Sequence, residues 1–225
     1  MCDCVSQTRR QVLKGLALGA VMPPYLAFAD SDDVLVIGGE AKINGQQQRS
    51  TKAEVFTLNA GAKGSVIKSK DQIFYLDPET EANFYRNDDG LMSNVIITAG
   101  GMLSLFGQKS GRDVVVSTPN AVGAIRGTTT YFAWQKEEQQ TYVCCCYGSV
   151  DLKNTDGGAE SLKTSYHTAV VMPIGGGVAA APYAKPLNHF DDDIETLEAV
   201  AGRKPRWQLP DGKKLFFAPN AVPLG

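Results

Sequence analysis

The sequence predicts a mainly β protein: an antiparallel β-sandwich or roll of short strands, with a C-terminal helix and a loop-rich extension. Three observations carry this expectation. Runs of about five residues rich in Val, Ile, Phe and Tyr recur between turn residues from Asp33 to Leu152. No stretch of that region places apolar residues at helical spacing. One segment near the C-terminus does, and it carries its own start and stop signals.

Taken in order, DVLVI (33–37) ends at Gly38-Gly39, EVFTL (54–58) at Asn59-Ala60-Gly61 and QIFYL (72–76) at Asp77-Pro78. NVIIT (94–98) runs into Ala99-Gly100-Gly101, and MLSLF (102–106) into Gly107. DVVVST (113–118), TTYFAW (129–134) and TYVCCC (141–146) follow, the last two separated by the polar QKEEQQ turn. Alternation in EVFTL and TTYFAW predicts strands with one packed and one wet face. Residues 153–164 are polar and 173–186 loop-like. The helix is DDDIETLEAVAGRKP, with a capping box from Asp192 and Glu195 and an apolar stripe of Ile194, Leu197 and Ala201. Gly202 closes it and Pro205 prevents its continuation. The tail is expected to add a short hairpin about Asp211-Gly212.

Three segments follow: an export signal at 1–29, a β-domain at 30–152, and an extension at 153–225 that packs on it. The first segment has a charged stretch ending in Arg9-Arg10, an apolar run broken at Pro23-Pro24, and Ala27-Phe28-Ala29 as a small-residue cleavage site. The apolar run is short of the ~20 residues that a membrane-spanning helix needs, so no retained span is expected. Thr8-Arg9-Arg10-Gln11-Val12-Leu13-Lys14 resembles the twin-arginine export signal. The resemblance implies delivery to the periplasm after folding in the cytoplasm, with cleavage near Ala29.

The whole chain has 22 Lys+Arg against 24 Asp+Glu, and removing residues 1–29 leaves 19 against 23. A net charge of −4 gives no basic footprint for nucleic acid. Cys2 and Cys4 leave with the signal, so the remaining cysteines are Cys144, Cys145 and Cys146. An odd set of chain neighbours is not a disulfide framework.

VVVSTPNAVGAIRGTTTYFAW (114–134) is the most specific segment. Pro119 ends a strand by removing a ladder donor, and Gly127 permits a backbone conformation closed to larger residues. Arg126 can direct its donors at carbonyl oxygens or a carboxylate, and a structural clamp on loop carbonyls is expected. Ser117-Thr118-Pro119, Ala121-Val122 and Ile125-Arg126-Gly127-Thr128, closed by Tyr147-Gly148-Ser149-Val150, resemble the core of the FecR domain. The likeness extends over residues 52–152. It implies an envelope module that senses or relays a signal, originally about ferric siderophore uptake. Members of that family join this domain to a cytoplasmic anti-sigma segment through a membrane helix, which this sequence is not expected to retain.

On a strand, Cys144 and Cys146 share one face, while Cys145 faces the core with Val143. Cys145 needs no chemistry, since buried cysteine behaves as a small hydrophobe. Two thiols at i and i+2 can converge on one ion. The chain has two histidines, His167 and His189, both downstream. If the extension folds back over that face, two thiolates and two imidazoles make a closed set suited to zinc or iron. The alternative is buried cysteines with surface histidines. Cys144-Cys145-Cys146-Tyr147-Gly148, His167, Asn188-His189-Phe190-Asp191, Leu197-Glu198 and Gly202-Arg203 also resemble a subgroup of FecR-like sequences.

Other candidates are weaker. Asp191-Asp192-Asp193 fits helix capping better than a hard cation, and Gly175-Gly176-Gly177 lacks the context of a phosphate loop. No nucleophile elbow or triad signature is present, so no enzyme is expected. The leading expectation is an exported periplasmic binding or sensing protein with a Cys2His2-type metal site. The alternatives are a metal-free module engaging an envelope protein partner through a sheet edge, and a thiol redox protein.

Overall fold

The computed structural model describes residues 33–107 and 113–216. The export signal with Arg9-Arg10 and Ala29, and the side chain of Thr128, lie outside the described residues.

The chain is mainly β, as the sequence predicts. The strands are β1 (Val34–Ile43), β2 (Gln46–Gln47), β3 (Ser50–Thr51), β4 (Val55–Ser69), β5 (Gln72–Leu76), β6 (Glu81–Arg86) and β7 (Met92–Leu105). They continue as β8 (Val114–Ser117), β9 (Ala121–Gln135), β10 (Gln140–Asn154), β11 (Ala159–Thr164), β12 (Thr168–Pro173) and β13 (Ala179–Ala180). One helix, α1 (Asp191–Val200), is found among the described residues outside a short 3-10 turn at Pro210–Gly212. No described helix is long and apolar enough to cross a membrane.

The strands are longer than the sequence suggests. NVIIT and MLSLF are two halves of β7, which passes through Ala99-Gly100-Gly101 without stopping. EVFTL is the first part of β4, a strand of 15 residues that continues through Asn59-Ala60-Gly61. Each long strand bends and contributes to two layers. One layer runs β11–β10–β9–β8–β7–β6–β4–β1–β2, using the first halves of β4, β7 and β9 and the second half of β10. The other runs β13–β12–β10–β9–β7–β5–β4–β1–β3, using the opposite halves. All pairings are antiparallel except β7 with β8. The bend in β9 and β10 falls at Gly127 (φ +54°) and Gly148 (φ +97°), with register shifts on either side of Tyr147. Left-handed backbone there admits glycine with little strain.

Phe56, Phe74, Phe84, Phe132, Val143 and Cys145 pack between the layers. A second apolar cluster lies on the outer face of the second layer, where Tyr75, Leu103, Tyr131, Tyr142, Cys144 and Cys146 meet Ile194 and Leu197 of α1. TTYFAW therefore has no wet face in the way the alternation predicts: Thr129 to Phe132 are wholly buried, because α1 and the extension cover the outer side. EVFTL does alternate, with Val55 exposed and Phe56 and Leu58 buried.

Beyond Leu152 the sheet continues, since β11 and β12 both pair with β10. The polar stretch 153–164 thus includes an edge strand. The helix cap lies two residues earlier than expected, at Phe190 rather than Asp192. The Phe190 N–H donates to Asp193 Oδ2 at 2.9 Å, so Asp193 completes the cap in place of the Asp192–Glu195 pair. Those two carboxylates instead take the Lys214 ammonium at 2.6 and 2.9 Å. Gly202 (φ +69°) closes the helix, with Gly202 N–H bonded to Ala199 O and Arg203 N–H to Glu198 O. The expected hairpin at Asp211-Gly212 is the 3-10 turn, with no strand around it among the described residues.

Candidate metal centre

Pro119 lies in the turn between β8 and β9, where Thr118 N–H donates to Ala121 O at 2.8 Å. Arg126 is a clamp, but on carboxylates rather than loop carbonyls: it bonds Asp113 at 3.1 Å and Asp151 at 3.3 Å, joining the start of β8 to β10. Thr118 and Asn120, to which the sequence assigned no role, form a buried polar knot. Thr141 donates to Asn120 Oδ1 at 2.5 Å, and Asn120 donates to Met172 O at 2.8 Å. Satisfied polar groups of this kind fix register in a core.

Cys144 and Cys146 stand on one face of β10 and Cys145 on the other, in the core between the layers. His167 lies in the short link between β11 and β12, its N–H bonded to Cys146 O at 2.9 Å. His189 lies just before α1. The four residues converge: one ligand atom from each of Cys144, Cys146, His167 and His189 lies within 4.8 Å of the others. Cys144 Sγ is 3.5 Å from His167 Nδ1, and Cys146 Sγ is 3.4 Å from His189 Nε2. The alternative of surface histidines is excluded, since His189 is fully buried and the His167 side chain is 3% exposed.

Both rings are oriented by contacts on their far nitrogens. His189 Nδ1 donates to Leu187 O at 2.7 Å, which leaves Nε2 with a lone pair towards the thiols. The Leu187 N–H donates to Tyr142 Oη at 3.2 Å, and the Tyr131 ring stacks on His189 at 5.0 Å. His167 Nε2 lies 3.0 Å from Asp191 Oδ1, a carboxylate that also accepts from Tyr166 O–H and Phe216 N–H. This is the outer partner that ligating histidines generally have. The sequence reading placed Asp191 in an acidic helix start. The usable signal was chemical: a ligating imidazole needs an acceptor at its second nitrogen.

The electrostatics separate the two thiols. Burial opposes ionisation of Cys144, but the hydrogen bond from Cys146 and the facing His189 and His167 imidazoles outweigh it and hold this thiol well below its usual range. Burial, together with the neighbouring Cys144, pushes Cys146 well above it. Burial lowers His167, yet the hydrogen bonds to Asp191 and Cys144 prevail and push it up to about 9.

The donor set fits a single tetrahedral ion. Bonds of about 2.3 Å to sulfur and 2.0–2.1 Å to nitrogen give sulfur–nitrogen edges of about 3.5 Å, the spacing found here. A two-iron cluster would put thiolates and imidazoles on different irons, farther apart.

No family model matches the chain, and no curated protein matches it. Among solved structures, two crystal structures, each of a proposed anti-sigma factor from Parabacteroides distasonis, are similar. Both are 11% identical, with TM-scores of 0.48 and 0.45. The likeness covers 56% of this chain and 59% and 58% of those chains, so this chain spans less than two thirds of their length.

Proposed function

We propose that this chain is an exported FecR-like binding or sensing protein of the periplasm, holding one metal ion on Cys144, Cys146, His167 and His189. The observation that carries the metal reading is the convergence of four buried donors from three separate parts of the chain within 4.8 Å. A buried set of this kind, with both imidazoles held by outer acceptors, suits zinc or ferrous iron. With all four positions supplied by protein, the ion has a holding role, and no open position is left for catalysis. The envelope role is supported by the T-P-x-A and R-G-T resemblance and by the twin-arginine-like signal. A link to iron uptake is supported by that resemblance alone.

Metal analysis of the full chain purified without a histidine tag tests the proposal. One equivalent of zinc or iron per chain is expected. Protein that is folded but metal-free after purification under reducing conditions, and that takes up neither Zn(II) nor Fe(II), would leave the metal-free interaction module as the better reading.

A further inference from the structure

Resting on the metal reading above, we propose that residues 203–216 form a strap that gates the site, lifting from His167 to let the ion pass and closing over it again. The four donors have no open path to solvent: Cys144, Cys146 and His189 are 0% exposed, and the His167 side chain 3%. His167 sits in the link between two strands. Two rings of the strap pack against it, Phe216 with centroids 5.2 Å apart and Trp207 with centroids 6.2 Å apart. These rings cover the one donor whose side chain is not fully buried, so exchange by that route displaces them.

The way the strap is held makes it the part that moves. Its first end is firm, since Arg203 Nε bonds the buried Glu198 carboxylate at 2.7 Å. Gln208 N–H then donates to Ser165 O at 3.0 Å, and Arg206 donates to Gly127 O. From Leu209 to Lys213 the side chains are exposed or half-buried, and the backbone bonds of the turn, to Leu209 O and Pro210 O, are internal to it. The far end is clasped by half-exposed ion pairs from Lys214 to Asp192 and Glu195. Helix α1, by contrast, is pinned by the fully buried Ile194 and Leu197. Local opening takes place where apolar burial is small and bonds face solvent.

Asp191 couples the strap to the site. Its Oδ1 orients His167, while its Oδ2 accepts the Phe216 N–H at 3.2 Å, and the Asp191 N–H donates to Phe216 O at 3.0 Å. The carboxylate that aims the ligand also closes the strap, so ligand orientation and strap closure favour each other.

The test is zinc release from the full chain, loaded with one equivalent of Zn(II), into excess chromophoric chelator. A gate makes the release rate level off at high chelator, because opening becomes limiting. Trp207→Ala and Lys214→Ala should each raise that plateau roughly tenfold with zinc stoichiometry unchanged, and Trp207→Phe should restore slow release. If Trp207→Ala fails to fold, Lys214→Ala decides. Wild-type release that rises in proportion to chelator without levelling off, or variants that release at the wild-type rate, overturns the gate while leaving the metal site intact. A chain that binds no zinc overturns both.

Discussion

His167 Nε2 and Asp191 Oδ1 lie 3.0 Å apart, joining the link between β11 and β12 to the first residue of α1. Both side chains are buried, and burial alone would lower the imidazole. The hydrogen bond reverses that and raises it to about 9. The contact fixes which ring nitrogen faces Cys144, and it ties the extension to the sheet at the point where the four donors meet.

Asp191→Asn should therefore weaken the metal without removing it. The amide keeps the shape and one acceptor but loses the charge that favours Nε2–H. Loss of such an outer partner costs about 10–100-fold in affinity. Competition titration with a zinc chelator reads this directly, and an unchanged affinity would show that Asp191 serves only the helix and the strap.

Ligand and core cysteines should behave differently. Cys144→Ser and His189→Ala each leave three donors and should lose stoichiometric metal. Cys145→Ala should keep the metal and lose about 1 kcal/mol of stability, the worth of a small buried apolar group. Metal content and thermal melts distinguish them. Retained metal in Cys144→Ser would move the ion away from this cluster.

Metal affinity should rise with pH. Binding needs His167 neutral and both thiols deprotonated, while the hydrogen bonds to Asp191 and Cys144 raise His167 to about 9 and burial beside Cys144 pushes Cys146 up. In the metal-free protein the sign is opposite for His167. Its folded-state value is raised from 6.5, so its contribution to stability is full below about 6.5 and is lost as pH rises through about 9. Zinc titrations across that window should tighten steadily, and a flat profile would contradict a raised His167.

Gly127→Val should destabilise the fold by about 1–3 kcal/mol. The cause is backbone, not crowding: φ is +54°, whereas a Cβ would meet nothing closer than Arg206 at 4.0 Å. Gly127→Asn should cost less, because asparagine tolerates left-handed backbone. Equal melting of the Gly127→Val variant and wild type would show that β9 bends elsewhere.

Export is tested separately. Replacing Arg9-Arg10 with Lys-Lys should leave precursor in the cytoplasm, read by fractionation and by the size shift on cleavage near Ala29. Normal periplasmic accumulation of the double variant would assign the signal to another route.

The sequence by itself determined the β class, the position of the helix and the face assignment of the three cysteines. These follow from local rules: five-residue β-branched runs, a 3.6-residue apolar stripe, and strict alternation along a strand. It also supplied the four donor residues, because only two histidines were available to complete a pair of thiols. Tertiary structure decided the rest. Gly100 and Gly127 read locally as turn residues, yet each sits inside a long strand that bends from one layer to the other. A positive φ serves a turn and a bulged bend equally, and only pairing with distant strands selects between them. The full burial of Thr129 to Phe132 depends on α1 arriving over 50 residues later to cover the outer side. Asp191 became the partner of His167 for the same reason: its place in an acidic helix start shows capping chemistry, while its second role exists only where the chain returns across the thiol face of β10.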